Sequence, residues 1–192
     1  MVERAAGPAR PGILGFLSRF VAVAGLGLMA MAAGEAVLAA PIDDGGGTVG
    51  KSGLQVPRFV SLKAGRVNVR VGPGEDYKIA WVFTRTGLPI EVIQEYDTWR
   101  RIRDSDGQVG WVFNSLLSGK RTAVVAPWAS DGPRPIRSRA APASDVIAFL
   151  EPGVMATVDR CRGGWCRISG DRFDGWIQQE QLWGVYPNEE VD

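Results

Sequence analysis

Over its last two thirds the chain alternates apolar and polar residues in short bursts broken by turns. "PIEVIQEY" (Pro89 to Tyr96) and "VMATVDR" (Val154 to Arg160) carry the period of two that marks a half-buried strand. "TWRRIR" (Thr98 to Arg103) and "GWCRIS" (Gly164 to Ser169) follow them; "SDG" and "GDRFDG" then mark turns before "VGWVF" and "DGWIQ". Helical periodicity is almost absent, so the pattern predicts small β-barrels or sandwiches without long helices.

The bursts occur twice. Gly87 and Gly153, Trp99 and Trp165, and Ile102 and Ile168 are each 66 residues apart, and Gly110-Trp111 corresponds to Gly175-Trp176 after a one-residue deletion. "VNVR", ending at Arg70, corresponds to "RPIR", ending at Arg137. Self-similarity at this period means a duplicated unit. The boundaries expected are 58–121 for a first domain and 122–192 for a second. Before them, "APIDDGGGTVGKSGLQVP" has no apolar periodicity and reads as a flexible linker over 40–57.

The N-terminus has another pattern. Arg4, Arg10 and Arg19 precede the apolar run Phe20 to Gly34, and small residues at Val37 and Ala39 complete the order of a secretory signal peptide over 1–39, with cleavage expected between Ala39 and Ala40. A retained anchor is the alternative; the fifteen-residue run is shorter than the roughly 20 residues a spanning helix needs. Export to the periplasm or beyond follows from cleavage, and the membrane is then a partner only through the signal segment.

Composition removes several chemistries. The chain has no histidine among 192 residues, which excludes serine–histidine and cysteine–histidine nucleophiles and imidazole metal sites. No metal site and no cofactor are expected. Of 22 basic and 21 acidic residues, the signal segment takes three and two, leaving 19 of each, a neutral balance that argues against nucleic acid as a partner. The charge is divided, with net +4 over 58–122 and net −3 over 123–192. Gly72-Pro73-Gly74 lacks the lysine and the following helix of a phosphate-binding loop.

The only cysteines stand in "CRGGWC", with Gly163-Gly164 between them. Four intervening residues do not match a redox pair, and two thiolates are half a zinc site. A Gly-Gly pair suits a two-residue hairpin turn, and that register places Cys161 opposite Cys166, so a disulfide is expected in an exported chain; two buried free thiols are the alternative. In the first repeat the same positions are Glu95 and Arg100, an expected ion pair.

"GRVNVRVGPGEDYKIAWV", "TWRRIRDSDGQVGWVFNSLLSG" and "CRGGWCRISGDRFDGWI" resemble bacterial SH3-like domains, as found in tandem in exported proteins of Gram-negative bacteria. The resemblance implies an all-β chain of two tandem SH3-like barrels of five to seven strands each, and a tendency to bind cell-wall peptides or other proteins. In the first repeat it implies a groove in which Asn68, Arg70, Tyr77, Trp81, Trp99 and Trp111 bind the ligand. Alternation sets Trp99 on the face opposite Ile102, hence partly exposed; packing between the barrels is the competing fate of such rings. The second repeat lacks the G-P-G, so a differently shaped loop and a weaker contribution are expected there. Glu95 with Asp97 and Asp104 with Asp106 are the remaining acid pairs, expected as solvated turn residues rather than glycosidase carboxylates. A non-catalytic module for a cell-wall peptide or envelope protein is therefore expected; an accessory protein whose barrels serve packing alone is the alternative, and a wall-acting enzyme comes third.

Overall fold

The computed structural model describes Val2–Glu3 and residues 47–192. The expected apolar signal run and the Ala39–Ala40 junction lie outside the described residues. Strands β1 (Val2–Glu3), β2 (Thr48–Val49) and β3 (Gln55–Val56) come first. The first repeat then forms β4 (Arg58–Leu62), β5 (Val67–Arg70), β6 (Ile79–Phe83), β7 (Pro89–Tyr96), β8 (Trp99–Arg103), β9 (Val109–Phe113) and β10 (Leu117–Ser118). The second forms β11 (Thr122–Val125), β12 (Arg134–Arg137), β13 (Val146–Leu150), β14 (Met155–Arg162), β15 (Trp165–Gly170), β16 (Phe173–Gln178) and β17 (Leu182–Trp183). One 3-10 turn precedes the last strand of each repeat.

The sheet orders show the duplication directly. The first runs β6-β5-β9-β8-β7-β4-β10, with β1 added beyond β6; the second runs β13-β12-β16-β15-β14-β11-β17. Each term of the second is seven strands beyond its counterpart. The chain is all-β, in two tandem SH3-like domains.

Alternation builds both cores. Val67 and Val69 of β5 are fully buried while the alternate residues Asn68 and Arg70 are half-buried on the other face, and Leu62, Phe83, Ile90, Val92, Ile102 and Val112 join the valines in the first core. Ile136, Ile168, Ile177 and the two cysteines do the same in the second. A long fourth strand folds over a tight turn in each: β7 over Asp97-Thr98 into β8, β14 over Gly163-Gly164 into β15. Both glycines of the second turn have positive φ, 59° and 78°, the conformation a two-residue hairpin turn requires.

Cys161 pairs with Cys166 in that hairpin and they form a disulfide, with Cα atoms 4.0 Å apart. In the first hairpin Glu95 faces Arg100 in the same register, and Arg100 Nε lies 3.3 Å from Glu95 Oε1. One hairpin is pinned by a covalent bond and its duplicate by charge.

The linker expectation is corrected over its second half. β2 and β3 pair as a hairpin, and Ser52 at its tip donates from both its backbone N–H (2.8 Å) and its hydroxyl (2.7 Å) to the Glu95 carboxylate. Glycines and polar residues without periodicity are docked here by a buried charge that lies 43 residues further along the chain.

The barrels also pack on each other. Phe59 of β4 meets Trp183 edge-on at 5.1 Å and Tyr186 at 4.7 Å between ring centroids. Tyr186 Oη donates to Glu91 Oε1 (2.9 Å), and the Thr122 hydroxyl donates to the Gly87 carbonyl (2.7 Å). Gly184, with φ of 123°, closes this contact; a Cβ there would lie 2.3 Å from the Thr122 carbonyl oxygen.

Candidate functional site

The loop between the second and third strands of each barrel, β5 to β6 and β12 to β13, is held by an arginine. Arg70 Nη1 donates to the Tyr77 carbonyl (2.6 Å), and Arg137 Nη1 donates to the Ser144 carbonyl (2.7 Å). The turns inside agree too. Val71 N–H bonds Lys78 O as Ser138 N–H bonds Asp145 O, and Tyr77 N–H bonds Gly74 O as Ser144 N–H bonds Ala141 O. The second loop therefore has the shape of the first, contrary to the expectation from its missing G-P-G. The arginine fork and the backbone turns set the path, and they do not need that tripeptide. What differs is the side chain delivered: Tyr77 lies half-exposed against Gly72, while Ser144 is buried with its hydroxyl donating to Arg139 O and Ala141 O.

The six residues expected to form one groove separate. Arg70 and Trp111 share the outer face of the first sheet, where Tyr96 meets Trp111 edge-on at 6.5 Å and Lys51 Nζ lies 5.8 Å from the Tyr96 ring centre; Tyr77 stays in the loop, its ring against Gly72. Trp81 is opposite Val69, so it faces inward, packs against the core and meets Phe83 edge-on at 6.1 Å. Trp99 is on the outer face, yet it is only 8% exposed because Phe113, its neighbour across β9, covers it at 5.6 Å. The expectation of an exposed Trp99 is corrected: strand alternation assigns a face, and a neighbouring ring decides exposure. Asn68 lies between buried valines with its Oδ1 buried and without a partner among the described residues.

Of the two acid pairs, Glu95 and Asp104 are engaged in structure, while Asp97 is an exposed turn residue. Burial pushes the Glu95 carboxyl up, but hydrogen bonds from Ser52 and Arg58 and the Arg100 charge outweigh it and hold it at about 2. A carboxylate kept ionised in this way is the opposite of a general acid. Glu95 is thus a buried ionic centre, not the solvated turn residue expected. Asp104 Oδ1 accepts the backbone N–H groups of Asp106 (3.0 Å) and Gln108 (2.8 Å), closing the turn. Glu91 is buried, paired with Arg103 and bonded to Tyr186, whose phenol is pushed upward by burial and by the Glu91 charge.

A concave aromatic site lies elsewhere. Between β11 and β12 the second repeat has four residues more than the first has between β4 and β5, "APWASDGP" against "KAGR", and the insertion carries Trp128, 59% exposed. The Ala126 N–H bond to Gln181 O (2.7 Å) ties its start to the 3-10 turn. Trp128, Trp165 from the disulfide hairpin, Trp183 and Tyr186 line a cleft of about 670 Å3, together with Gln179. Gln179 donates from Nε2 to the carbonyls of Tyr186 and Glu189, both at 2.8 Å, while its Oε1 is buried without a partner among the described residues, as is Trp183 Nε1. A buried polar atom left unpaired costs free energy, which a water or ligand atom that reaches it can recover. Sequence reasoning placed the stronger site in the first repeat and missed this one. The signal was available in the length difference between "APWASDGP" and "KAGR" and in the tryptophan at its centre.

Comparison with known proteins bears on the whole arrangement. The bacterial SH3 domain family matches the chain twice, over residues 63–119 and 130–184. No curated protein matches it. Among solved structures, NlpC2 from Trichomonas vaginalis is similar at 15% identity with a TM-score of 0.30, covering 68% of this chain and 49% of its own. NlpC1 from the same organism is similar at 13% identity and a TM-score of 0.30, covering 71% of this chain and 48% of its own. The chain thus corresponds to about half the length of each.

Proposed function

The chain belongs to the bacterial SH3 domain family, and from that premise we propose that it is an exported, non-catalytic binding module that takes an extended cell-wall peptide into the aromatic cleft of its second barrel. The observation that carries the reading is the cleft itself. Flat indole and phenol rings from three separate segments surround a space of about 670 Å3, and two of the residues lining it have an unpaired polar atom. Such rings stack on a peptide backbone with little loss of side-chain freedom, and a few polar groups then set direction. The outer face with Trp111 and the loop with Tyr77, both on the first barrel, supply a second contact. Small open sites bury limited area, so affinity near micromolar or weaker is expected.

Co-sedimentation of the signal-free protein with purified peptidoglycan sacculi tests this. Retention is expected, reduced about tenfold by Trp165→Ala or Trp128→Ala and less by Tyr77→Ala, with circular dichroism unchanged. Absence of retention would favour barrels that serve packing alone. Release of soluble wall fragments would mean an enzyme.

A further inference from the structure

A second concavity, of about 1160 Å3, lies where the two barrels meet, and its chemistry differs from that of the aromatic cleft. Lys63, Arg85 and Lys120 of the first barrel and Arg172 of the second line it, against one acid, Asp171. All five are exposed, and none of the four cations forms an ion pair among the described residues. The remaining wall includes Phe149, which is 64% exposed.

Phe149 belongs to β13, the end strand of its sheet. β13 pairs only with β12 among the described residues, and it presents Val146, Ile147 and Phe149 to solvent at 41%, 50% and 64%. Exposed apolar end strands are a hazard that folded proteins normally blunt with charge, proline or a covering segment. Its counterpart β6 takes a strand in the full chain: Val2–Glu3, which lies in the segment that signal cleavage removes, adds to that edge antiparallel, Val2 opposite Phe83 and Glu3 opposite Val82. In the full chain the same edge of the duplicated fold thus accepts an extra strand once, which shows that its geometry suits strand addition, and is bare once.

We infer that the groove between the barrels is a docking site for an extended, acidic segment of another polypeptide, added as a strand along β13. The bare edge supplies backbone hydrogen bonds, which only a polypeptide strand can return in ladder form, and Phe149 supplies an apolar neighbour for alternate side chains. The four unpaired cations set the charge of that strand, through attraction at encounter and a penalty for basic competitors. This site is independent of the aromatic cleft and of any wall ligand there.

The test is fluorescence anisotropy with the signal-free protein and three labelled decapeptides: alternating glutamate and valine, alternating lysine and valine, and alternating glutamate and proline. The glutamate–valine peptide is expected to bind about tenfold or more tightly than either other, and Arg85→Glu with Lys120→Glu to weaken it by a similar factor. Both substitutions are at exposed positions, and the peptide comparisons need no altered protein. Equal binding of the lysine peptide would overturn the charge assignment, and equal binding of the proline peptide would overturn strand addition. Binding to phosphatidylglycerol vesicles with none of the three peptides retained would replace the proposal with a lipid surface.

Discussion

Trp99 and Trp165 stand 66 residues apart at the same place in two copies of one hairpin, yet one is sealed under Phe113 and the other lines a cleft. Strand periodicity reads equally for both; what separates them is the neighbour across the sheet and the insertion around Trp128, which are tertiary facts. Glu95 makes the same point for charge. Its opposition to Arg100 was legible from the register, whereas its contacts with Ser52 and Arg58 depend on a hairpin whose sequence reads as linker. Replacing Glu95 with alanine leaves Arg100 and Arg58 without their acid and is expected to cost about 2 kcal/mol by denaturant unfolding. Because the folded carboxyl lies below its ordinary value, its contribution is complete above about pH 4.5 and is lost as the pH falls towards about 2. The stability gap between the native protein and Glu95→Gln should therefore narrow over that acid window; a gap constant from pH 7 to pH 3 would contradict the assignment.

The hairpin and its loop are the elements that duplication kept. Strand type and order were readable from alternation and the internal repeat, and so was the pairing of the cysteines, because a Gly-Gly turn leaves little freedom of register. The β12–β13 loop of the second barrel was misjudged because G-P-G is a visible signature, while an arginine reaching a carbonyl seven residues on is not. The disulfide closes only a short loop, so its effect on the unfolded chain is modest, at most about 2 kcal/mol. Reduction, or Cys161→Ser with Cys166→Ser, is expected to lower the unfolding free energy of the second barrel by about 1–2 kcal/mol and to leave the first unchanged. Hydrogen exchange resolved by barrel checks this, and equal loss of protection in both would show that they unfold as one unit.

At the scale of the whole molecule, the barrels do not behave as beads on a string. Phe59, Trp183 and Tyr186 with the buried Glu91 join them, and this contact places the cationic groove on one flank and one wall of the aromatic cleft on another. None of it could be read from the repeat, since the residues involved are those in which the two copies differ. The division of charge between the halves was legible; its collection around one groove was not. The central claim is that the aromatic cleft is the principal site of the peptide and the first barrel's outer face at most a secondary one. The most direct measurement is a titration of the 15N-labelled, signal-free protein with a soluble wall stem peptide, followed at the indole N–H resonances. Trp128, Trp165 and Trp183 are expected to shift together, while Trp81 and Trp99, packed away from the cleft, stay in place. Shifts confined to Trp111 and the backbone around Tyr77, or no shift at all at millimolar peptide, would contradict the account.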